Sequence, residues 1–585
     1  MSAEKLITDH IDIWTSAVQA KSSSGRGSSK KRELYGIKKL RELILELAVY
    51  GKLTSEISFQ GSAKEIIQKA ADEKRALAKE RKIRADKEVH QSVAQSDFPS
   101  NWEVLCIGQI AHVLGGKRVP KGCKLLEQQT DFVYLRVTDM KNQTIDESDL
   151  RYISEDVFKQ ISRYTINTED VYVTIAGTIG SVGSIPPHLD GMSLTENAAK
   201  LVFRGISKEY IIVILQSNFV KRQFSDAVNQ MAQPKLSLNS IKHTLIPIPS
   251  IEEQHRIVAK VDELMALCDQ LEQQTEASLD AHQVLVETLL ATLTNSQDAT
   301  ELMANWTRIS EHFDTLFTTE QSIDQLKQTI LQLAVMGKLV PQDPNDEPAA
   351  KLLERIAEEK AQLVKEKKIK KQKALPLIAE DEKPFELPNG WEWCRLDDIC
   401  QGITSGSTPP KSNFQELPGI PYLKVYNIRN QLIDFEYNPQ FIDIECHSSK
   451  LARSVLYPGD VVMNIVGPPL GKIALIPDSY PEWNCNQAIT FFRPIEPSLN
   501  RYIYTYLTAG TFLDSIELIG TAGQDNISVT KSRSIVLPTP PLEEQSRIVR
   551  KVNDLLKICD QLKQRLRDSQ QTQLQLTDAI VEQVV

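Results

Sequence analysis

The residue groups that most resemble catalytic motifs fail on spacing or on position. Residues 467–472 have the sequence GPPLGK, with too few residues between the glycines and no Ser or Thr after Lys472. This segment is therefore not a phosphate-binding P-loop, which excludes an ATP motor there. The acidic run Glu380 to Lys383 resembles a nuclease motif, but Pro376 and Pro384 place it in a linker that gives a metal site no rigid support.

Other signatures of catalysis or metal binding are missing from the sequence. There is no N-P-P-[YFW] methyltransferase signature, and no G-x-G-x-x-G follows a predicted strand. The nine histidines never pair at i, i+4 with a carboxylate between them, and Cys446-His447 stands alone. The eight cysteines form no C-x-x-C pair, which argues against structural zinc and for a reducing compartment. We therefore expect no catalytic residue, cofactor or metal on this chain.

Composition limits the remaining classes of function. The 585 residues are 41% hydrophobic and 25% charged, as in ordinary globular proteins with several domains. The 68 basic residues against 77 acidic residues give a net charge of -9, so any DNA-binding surface must be local. No apolar run approaches the roughly 18 residues of a membrane span, and the N-terminus is polar and acidic. We expect a cytoplasmic protein.

Two regions of about 150 residues contain the candidate binding residues. Each region has an exposed glycine-bearing loop with basic residues, at 115–121 and at 402–411. Each also has a predicted strand, 132–137 or 420–425, whose alternation directs a basic residue away from the apolar face. Such side chains donate to base edges or phosphates, although an ordinary solvated strand face has the same pattern. The candidate binding residues, chosen by side-chain type and by loop or strand placement, are Lys117, Arg118, Lys121, Arg136, Lys235, Ser405, Thr408, Lys411, Lys424, Asn427, Arg429 and Lys531.

These candidate residues belong to a duplicated chain. Residues 40–53 return as 326–339, with Gly51 and Gly337 separated by 286 residues. Trp102 returns as Trp391, and the run 252–258 returns as 543–549. The separation changes by only a few residues over the repeat, which indicates tandem duplication with small loop insertions. The helical parts agree closely while the two strand-rich heads diverge, so we predict that the heads recognise different targets.

A long helix follows each head. Ser250 and Glu253 predict a capping box immediately after Pro249, and the apolar stripe that follows steps by four and three residues. A helix of about 30 residues would be about 45 Å long, which is the length of about 13 base pairs of duplex DNA. The stripe fits a short coiled-coil seam or a bundle with the Leu40 and Leu326 helices. The predicted packing residues are Ile257, Val261, Leu264, Leu271, Ile548, Val552, Leu555 and Leu562.

The lysine-rich stretches 75–87 and 360–373 lie in the predicted helical sequence that follows the repeated segments 40–53 and 326–339. They are expected to be solvated helix faces, although contact with DNA phosphate is the alternative.

The predicted fold is α+β, with two strand-rich heads joined by long antiparallel helices in an internal pseudo-two-fold duplication. The predicted domains are an N-terminal helix with a flexible linker (1–33), an N-terminal helical region (34–100), head 1 (101–249), a central helical region (250–390), head 2 (391–541) and a C-terminal helix that pairs with the central spacer helix (542–585). Within the first domain the helix is expected at residues 4–19 and the linker at 21–31, and a second linker is expected at 374–390.

Two motifs give this chain a family resemblance. The run P-x-P-x-x-E-E-Q-x-R-I-V occurs at 247–258 and 538–549, and L-x-L-A-V-x-G-K-L occurs at 45–53 and 331–339. With two divergent heads on a duplicated helical frame, they resemble the specificity subunit of Type I restriction-modification enzymes. The helical region before the first head looks like one branch of that family.

The resemblance implies a non-catalytic subunit that binds double-stranded DNA. Each head would recognise one half of a bipartite asymmetric site, and the candidate binding residues above would contact this DNA. The helices would dock partners and separate the two half-sites by about 13 base pairs. Family members bind two modification subunits, which use S-adenosylmethionine to methylate adenine, and two restriction subunits, which use ATP and magnesium. None of these cofactors is expected on this chain.

Two other classes of function stay open on sequence alone. A coiled-coil adaptor without DNA function would not need two divergent heads. A fused DNA methyltransferase would need a cofactor loop and a catalytic tetrad that the sequence lacks.

Overall fold

The structure is a computed structural model of the chain. It describes residues 3–20, 32–54, 62–81, 83, 97–229, 234–416, 419–467, 469–516, 519–521 and 524–584. The chain divides into two compact units, Met1–Leu279 with Ser569–Val585, and Asp280–Asp568. The division falls inside both long helices, whereas the sequence predicted domain boundaries at the helix ends.

Unit 1 contains head 1 and the helices around it. Its helices are α1 (Ala3–Asp9), α2 (Ile11–Ser16), α3 (Tyr35–Val49), α4 (Ala63–Glu80), α5 (Ile107–Ile110), α6 (Glu155–Ile161), α7 (Lys208–Gln216), α8 (Asn218–Asn229), α9 (Leu238–His243) and the first part of α10 (Ile251–Asn295). Its strands are β1 (Gln19–Ala20), β2 (Arg32–Glu33), β3 (Glu103–Cys106), β4 (His112–Gly115), β5 (Tyr134–Leu135), β6 (Met140–Lys141), β7 (Thr144–Ile145), β8 (Thr165–Ile166), β9 (Val171–Thr174), β10 (Val182–Gly183), β11 (Met192–Leu194), β12 (Ala198–Val202) and β13 (Leu245–Ile248).

Unit 2 has a matching set of elements around head 2. Its helices are the last part of α10, α11 (Ala299–Glu311), α12 (Phe313–Leu316), α13 (Glu320–Val335), α14 (Ala349–Lys365), α15 (Leu396–Ile399), α16 (Ile444–Ser448), α17 (Asn500–Ala509), α18 (Val529–Ser534) and most of α19 (Leu542–Val584). Its strands are β14 (Glu392–Arg395), β15 (Cys400–Ser405), β16 (Phe414–Gln415), β17 (Ile420–Leu423), β18 (Ile428–Arg429), β19 (Leu432–Ile433), β20 (Phe441–Ile442), β21 (Val461–Asn464), β22 (Ile473–Leu475), β23 (Asn484–Cys485), β24 (Ile489–Pro494), β25 (Ile519–Thr521), β26 (Gln524–Asn526) and β27 (Val536–Thr539).

Each head is built on a four-stranded antiparallel sheet with the same strand order. The order is β10-β9-β12-β4 in head 1 and β22-β21-β24-β15 in head 2. A parallel pair, β5 with β11 or β17 with β23, belongs to a second sheet in each head. The strands β3 and β13, or β14 and β27, pair where the chain enters and leaves the head. The duplication therefore extends to the sheets, although the sequences of the heads diverge.

The four-stranded sheets are buried on both faces. In unit 1, Val171 and Val173 face one hydrophobic cluster and the intervening Tyr172 faces another. In unit 2, Val461 and Met463 face one cluster and Val462 faces another. This alternation follows from the two-residue period of a strand. Burial on both faces leaves the strand ends and loops as the accessible parts of the sheet.

Helix α3 shows how the repeated helical segment packs. Leu40, Leu43, Ile44 and Leu47 lie on one face and are almost fully buried, each contributing roughly 1.5–3 kcal/mol. Gly51 ends the helix with a φ of 68° and a Cβ there would lie 2.6 Å from Pro99, so glycine is required. Gly337 has the same role after α13, with a φ of 70° and Pro388 at 2.5 Å. The repeated Gly-Lys-Leu element therefore joins a helix end to a head.

The spacer helix α10 is longer than the roughly 30 residues expected from the sequence. Helix α10 has 45 residues and α19 has 43, which corresponds to about 65 Å each. The expected length of about 30 residues was wrong because the helical pattern continues through polar sequence after Leu271. The estimate of 13 base pairs between half-sites, which depended on that length, no longer holds.

The predicted apolar stripe lies in the core of each unit. In unit 1, Ile257, Val261 and Leu264 are buried and Leu271 is half-buried in the cluster that contains α3. In unit 2, Ile548 and Val552 are buried, and Leu555 and Leu562 pack half-buried in a cluster with α13. Ion pairs join the same helices: Arg41 contacts Glu272 at 2.6 Å, and Lys563 contacts Asp324 at 2.7 Å. Of the two arrangements left open, each unit has the bundle with the repeated helix.

The predicted capping box at the start of α10 is half correct. The Glu253 amide donates to Ser250 Oγ at 3.3 Å, as predicted. The Glu253 carboxylate instead accepts a hydrogen bond from Thr54 Oγ1 at 3.4 Å. In unit 2 the equivalent Glu544 accepts a hydrogen bond from Trp391 Nε1 at 3.1 Å. These glutamates connect the helix start with the repeated helical segment or the head.

The N-terminal helices, the lysine-rich helices and the second linker differ in extent from the sequence-based predictions. Two short helices, α1 and α2, lie where one helix over 4–19 was expected, and the linker 21–31 is outside the described residues. The lysine-rich helices end at Glu80 and Lys365, earlier than predicted. The second linker, 374–390, contains only a short turn at Glu380–Glu382, where Glu382 pairs with Arg395 at 2.9 Å.

Candidate DNA interface

Four loops meet at one edge of the four-stranded sheet in head 1. They are residues 116–124, 175–181, 195–197 and 234–236, and we call this surface loop edge 1. Strands β4 and β9 end at the same edge where the antiparallel β12 begins. Backbone hydrogen bonds join the loops: Gly116 N donates to Ala198 O at 3.1 Å, Ile175 N to Asn197 O at 2.8 Å, and Leu236 N to Ile175 O at 2.9 Å.

Head 2 has the same construction. Its loops are residues 406–413, 465–467 with 469–472, 486–488 and 527–528, and we call this surface loop edge 2. Gly406 N donates to Ile489 O at 3.0 Å, Ile465 N to Ala488 O at 2.9 Å, and Ile527 N to Ile465 O at 2.9 Å. Two heads with divergent sequences therefore hold four loops in the same backbone framework.

A glycine and a tyrosine anchor the first loop in each head. A Cβ at Gly116 would lie 2.1 Å from Thr195 O, and one at Gly406 would lie 2.1 Å from Cys485 O. Backbone atoms fill the space of the missing side chain, so only glycine fits. The buried Tyr134 donates to Lys117 O at 2.9 Å, and the buried Tyr422 donates to Ser407 O at 2.8 Å. Burial raises the pKa of Tyr134 to about 12, so this hydroxyl stays protonated as a donor.

Loop edge 1 carries a cluster of exposed cations. The predicted residues Lys117, Arg118 and Lys121 are exposed on its first loop, and Lys235 is exposed on its last. Lys117 Nζ lies 5.7 Å from the centre of the Tyr164 ring. Lys124 is also exposed on the first loop, and the prediction missed it although it lies in the same basic run. The structure therefore brings four of the five residues predicted in head 1 to one surface.

Loop edge 2 is less basic. Thr408 and Lys411 are exposed on its first loop, while Ser405 is the half-buried last residue of β15. Arg453 was not predicted, and it reaches this loop by donating from Nη2 to Ser407 Oγ at 2.9 Å. No sequence pattern indicated this contact, because Arg453 lies 46 residues away along the chain. Lys531 lies half-buried on α18, outside the four loops.

Arg136 does not belong to loop edge 1. The strand predicted over 132–137 ends at Leu135, and a 3-10 turn at Val137–Asp139 follows. The Arg136 guanidinium donates to Asp139 Oδ1 at 2.6 Å and to Oδ2 at 3.1 Å, and Asp139 is buried. Its hydrogen bonds to Asp139 raise the pKa of Arg136. Arg136 therefore neutralises a buried carboxylate, and the sequence pattern did not predict this pair.

The corresponding turn of head 2 contains Lys424 and Asn427. Asn427 is 1% exposed, and its amide donates to Tyr437 O at 2.9 Å while its oxygen accepts from Lys424 N at 3.0 Å. The predicted DNA contact for Asn427 conflicts with this burial and is dropped. Lys424 Nζ lies 5.1 Å from the Phe414 ring, and the exposed Arg429 stacks 4.1 Å from the Tyr437 ring. Both cations lie outside loop edge 2.

Comparison with known sequences identifies the family. The family described as Type I restriction modification DNA specificity domain matches residues 99–281 and 388–569, one match for each head and the start of the long helix after it. The Escherichia coli Type I restriction enzyme EcoAI specificity subunit is 39% identical over all of both chains, and the EcoEI specificity subunit is 40% identical over this whole chain and 99% of its own. The chain belongs to the Type I restriction enzyme specificity subunits. The crystal structure of the HsdS subunit from Thermoanaerobacter tengcongensis is 20% identical, covers 83% of this chain and 97% of its own, and has a TM-score of 0.41.

Membership in the family places the chemistry elsewhere. Specificity subunits recognise DNA, and the catalytic activities reside on separate subunits. Within the described part of this specificity subunit, no group of three or more His, Cys, Asp or Glu side chains is arranged to hold a metal ion. None of the described helices is both long enough and apolar enough to span a membrane.

Proposed function

We propose that each head of this specificity subunit recognises one half of a bipartite, asymmetric DNA site through its own loop edge. The observation that supports this most directly is the matched pair of loop edges. The same backbone framework presents Lys117, Arg118, Lys121 and Lys124 in head 1 but Ser407, Thr408 and Lys411 in head 2. Different side chains on one framework suit two different half-sites.

The proposed contacts are divided by chemistry. Lys117, Lys121, Lys124, Lys235 and Lys411 are proposed to bind phosphates, which fixes the position of each head. Arg118 and Thr408 are proposed to contact base edges. Lys531 and Arg429 stay as proposed secondary contacts, since they lie outside the loop edges.

We further propose that the helices space the two heads and dock two modification subunits, through which two restriction subunits assemble. In this proposal S-adenosylmethionine binds the modification subunits, and ATP with magnesium binds the restriction subunits. The complex directs adenine methylation and restriction of foreign DNA in the cytoplasm. The names of the relatives and the net charge of -9 support this division, because partner subunits can supply non-specific attraction to phosphates.

The test is to map methylated adenine across the genome of the source cell by sequencing native DNA, with this gene present and deleted. The proposal predicts that one gapped two-part motif loses its methylation on deletion. A continuous motif, or no change in a cell whose modification subunit is expressed, would contradict it. Loss of S-adenosylmethionine binding from the complex only when the modification subunit is omitted would separate this proposal from a fused methyltransferase.

A further inference from the structure

We propose that Glu196 is a positioning residue that orients the guanidinium of Arg118 toward a guanine in the half-site recognised by head 1. This inference deepens the proposed function and rests on it. It assigns a role in sequence specificity to an acidic residue that does not contact DNA itself and acts through Arg118.

The two side chains form a compact cluster at loop edge 1. Arg118 Nε donates to Glu196 Oε1 at 2.6 Å. The other oxygen, Oε2, accepts a hydrogen bond from Thr195 Oγ1 at 3.1 Å. It also lies 3.1 Å from the Tyr134 hydroxyl, whose single proton it shares with Lys117 O. The Glu196 side chain is 24% exposed, while that of Arg118 is 79% exposed. A half-buried, fully engaged carboxylate therefore holds the inner edge of an exposed guanidinium.

This geometry leaves the outer edge of Arg118 suited to a base. The Nε contact fixes the plane of the guanidinium, and no other hydrogen bond from Arg118 is found within the described residues. The two terminal amino groups can then donate together to O6 and N7 of guanine, the commonest specific contact of arginine in the major groove. Fixing the side chain before binding lowers the entropy lost when the contact forms.

The charge of Glu196 also needs an explanation at a DNA-facing surface. It is the one acidic residue in the four loops of loop edge 1, where a carboxylate opposes attraction to phosphate. Burial alone raises the pKa of Glu196, but hydrogen bonds from Arg118, Thr195 and Tyr134 outweigh it, so the net pKa is lowered. The carboxylate is thus ionised at neutral pH, and its role is to hold Arg118.

Head 2 supports the coupling of the two residues. Gly116 aligns with Gly406, and Ala198 aligns with Ile489 through the same backbone hydrogen bond. Counting from these pairs, Thr408 replaces Arg118 and Gln487 replaces Glu196. Both charges are therefore absent together where the arginine is absent, as expected if the carboxylate serves the arginine.

The test is a double-mutant cycle on the complex of the full chain with its modification subunit. Wild type, E196A, R118A and the double variant would each methylate duplexes that contain the two-part site, with every base pair of the head 1 half-site changed in turn. We expect R118A to lose discrimination at one G·C pair by about 5- to 150-fold. E196A should lose part of the discrimination at the same pair, and E196Q less, because the glutamine oxygen still accepts from Arg118 Nε. E196A should add nothing in the R118A background.

The control is E155A, which removes an exposed carboxylate that pairs with Lys159 at 2.8 Å on α6, outside the loops. It should leave discrimination in both half-sites unchanged. Unchanged discrimination at the other base pairs of the head 1 half-site shows that head 1 is folded in each variant.

Three results would overturn the inference. One is a further loss from E196A in the R118A background, which would mean that Glu196 contacts DNA directly. Another is that R118A weakens methylation equally on all sequences and makes DNA binding less dependent on salt, which would assign Arg118 to a phosphate. The third is that E196A discriminates as well as the wild type does, when the wild-type complex methylates a two-part motif. A wild-type complex with no two-part motif would instead contradict the proposed function.

Discussion

Head 1 and head 2 have the same framework and different surfaces. Both have the sheet order, the glycine at 116 or 406, the tyrosine at 134 or 422, and a hairpin turn of Asn and Gln with positive φ at 142–143 or 430–431. The first loop has four exposed cations in head 1 but one, Lys411, between 407 and 413 in head 2. Buried contacts therefore fix the framework, and solvent-exposed positions are free to differ.

The largest expected effect comes from breaking the shared framework. Gly116→Ala and Gly406→Ala place a Cβ about 2.1 Å from a backbone oxygen, so each should destabilise its head by at least about 3 kcal/mol and abolish recognition of its half-site. Gly115→Ala is the control, since its Cβ would lie 3.4 Å from Leu238 and head 2 has Ser405 at this position. Thermal unfolding and methylation assays would measure both effects. Equal behaviour of Gly115→Ala and Gly116→Ala would disprove the shared anchor.

A second pair of substitutions should distinguish the heads by how much stability each loses at its 3-10 turn. Arg136→Ala leaves the buried Asp139 carboxylate without its main cation and should cost about 3 kcal/mol of stability. Lys424→Ala should cost about 1 kcal/mol or less, because the neutral Asn427 keeps its backbone hydrogen bonds and only ring contacts are lost. Denaturant unfolding of the two variants would test this order. If the two variants lose equal stability, the buried ion pair of head 1 does not stabilise its turn more than the ring contacts of Lys424 stabilise the turn of head 2.

The salt dependence of DNA binding should sharpen the contrast between the loops. Changing Lys117, Lys121 and Lys124 together to Gln should lower the slope of log affinity against log salt by up to about 2.7, or roughly 0.9 for each phosphate contact. Lys411→Gln in head 2 should lower it by about 0.9 at most. Binding titrations of the assembled complex at several salt concentrations would measure both slopes. An unchanged slope for the triple variant would remove these lysines from the phosphate contacts.

The smallest expected effect is a pH dependence shared by both units. Burial raises the pKa of Glu253 and of Glu544, so the folded state favours their protonated forms. Their contribution to stability is therefore greatest at low pH and decreases as pH rises from about 4.5 through the raised pKa. Wild type should lose stability relative to E253Q or E544Q over that range, in the same direction for both. A stability difference that does not change with pH would argue against this burial effect.

The sequence predicted the features that depend on local pattern or on repetition. The duplication, the start of α10 after Ser250, and the burial of Ile257 and Ile548 follow from spacing alone. Most of the first loop of head 1 was also identified, because glycine and lysine together mark an exposed turn.

The features that it missed depend on partners distant in sequence. The pairs Arg118–Glu196 and Arg453–Ser407 join residues 78 and 46 positions apart, which only the folded sheet brings together. Arg136 and Asn427 were assigned to an exposed strand because alternation cannot show where a strand ends and a 3-10 turn begins. The burial of Asn427 conflicts with the DNA contact that was expected of it.

The central claim is that each loop edge determines one half of the recognised site. The most direct test replaces residues 117–124 with a different loop sequence that keeps Gly116, and maps methylated adenine in cells that express the variant with its modification subunit. We predict that the half-motif of head 1 changes or loses discrimination while the half-motif of head 2 stays the same. A change in both halves together, or an unchanged motif, would contradict the claim.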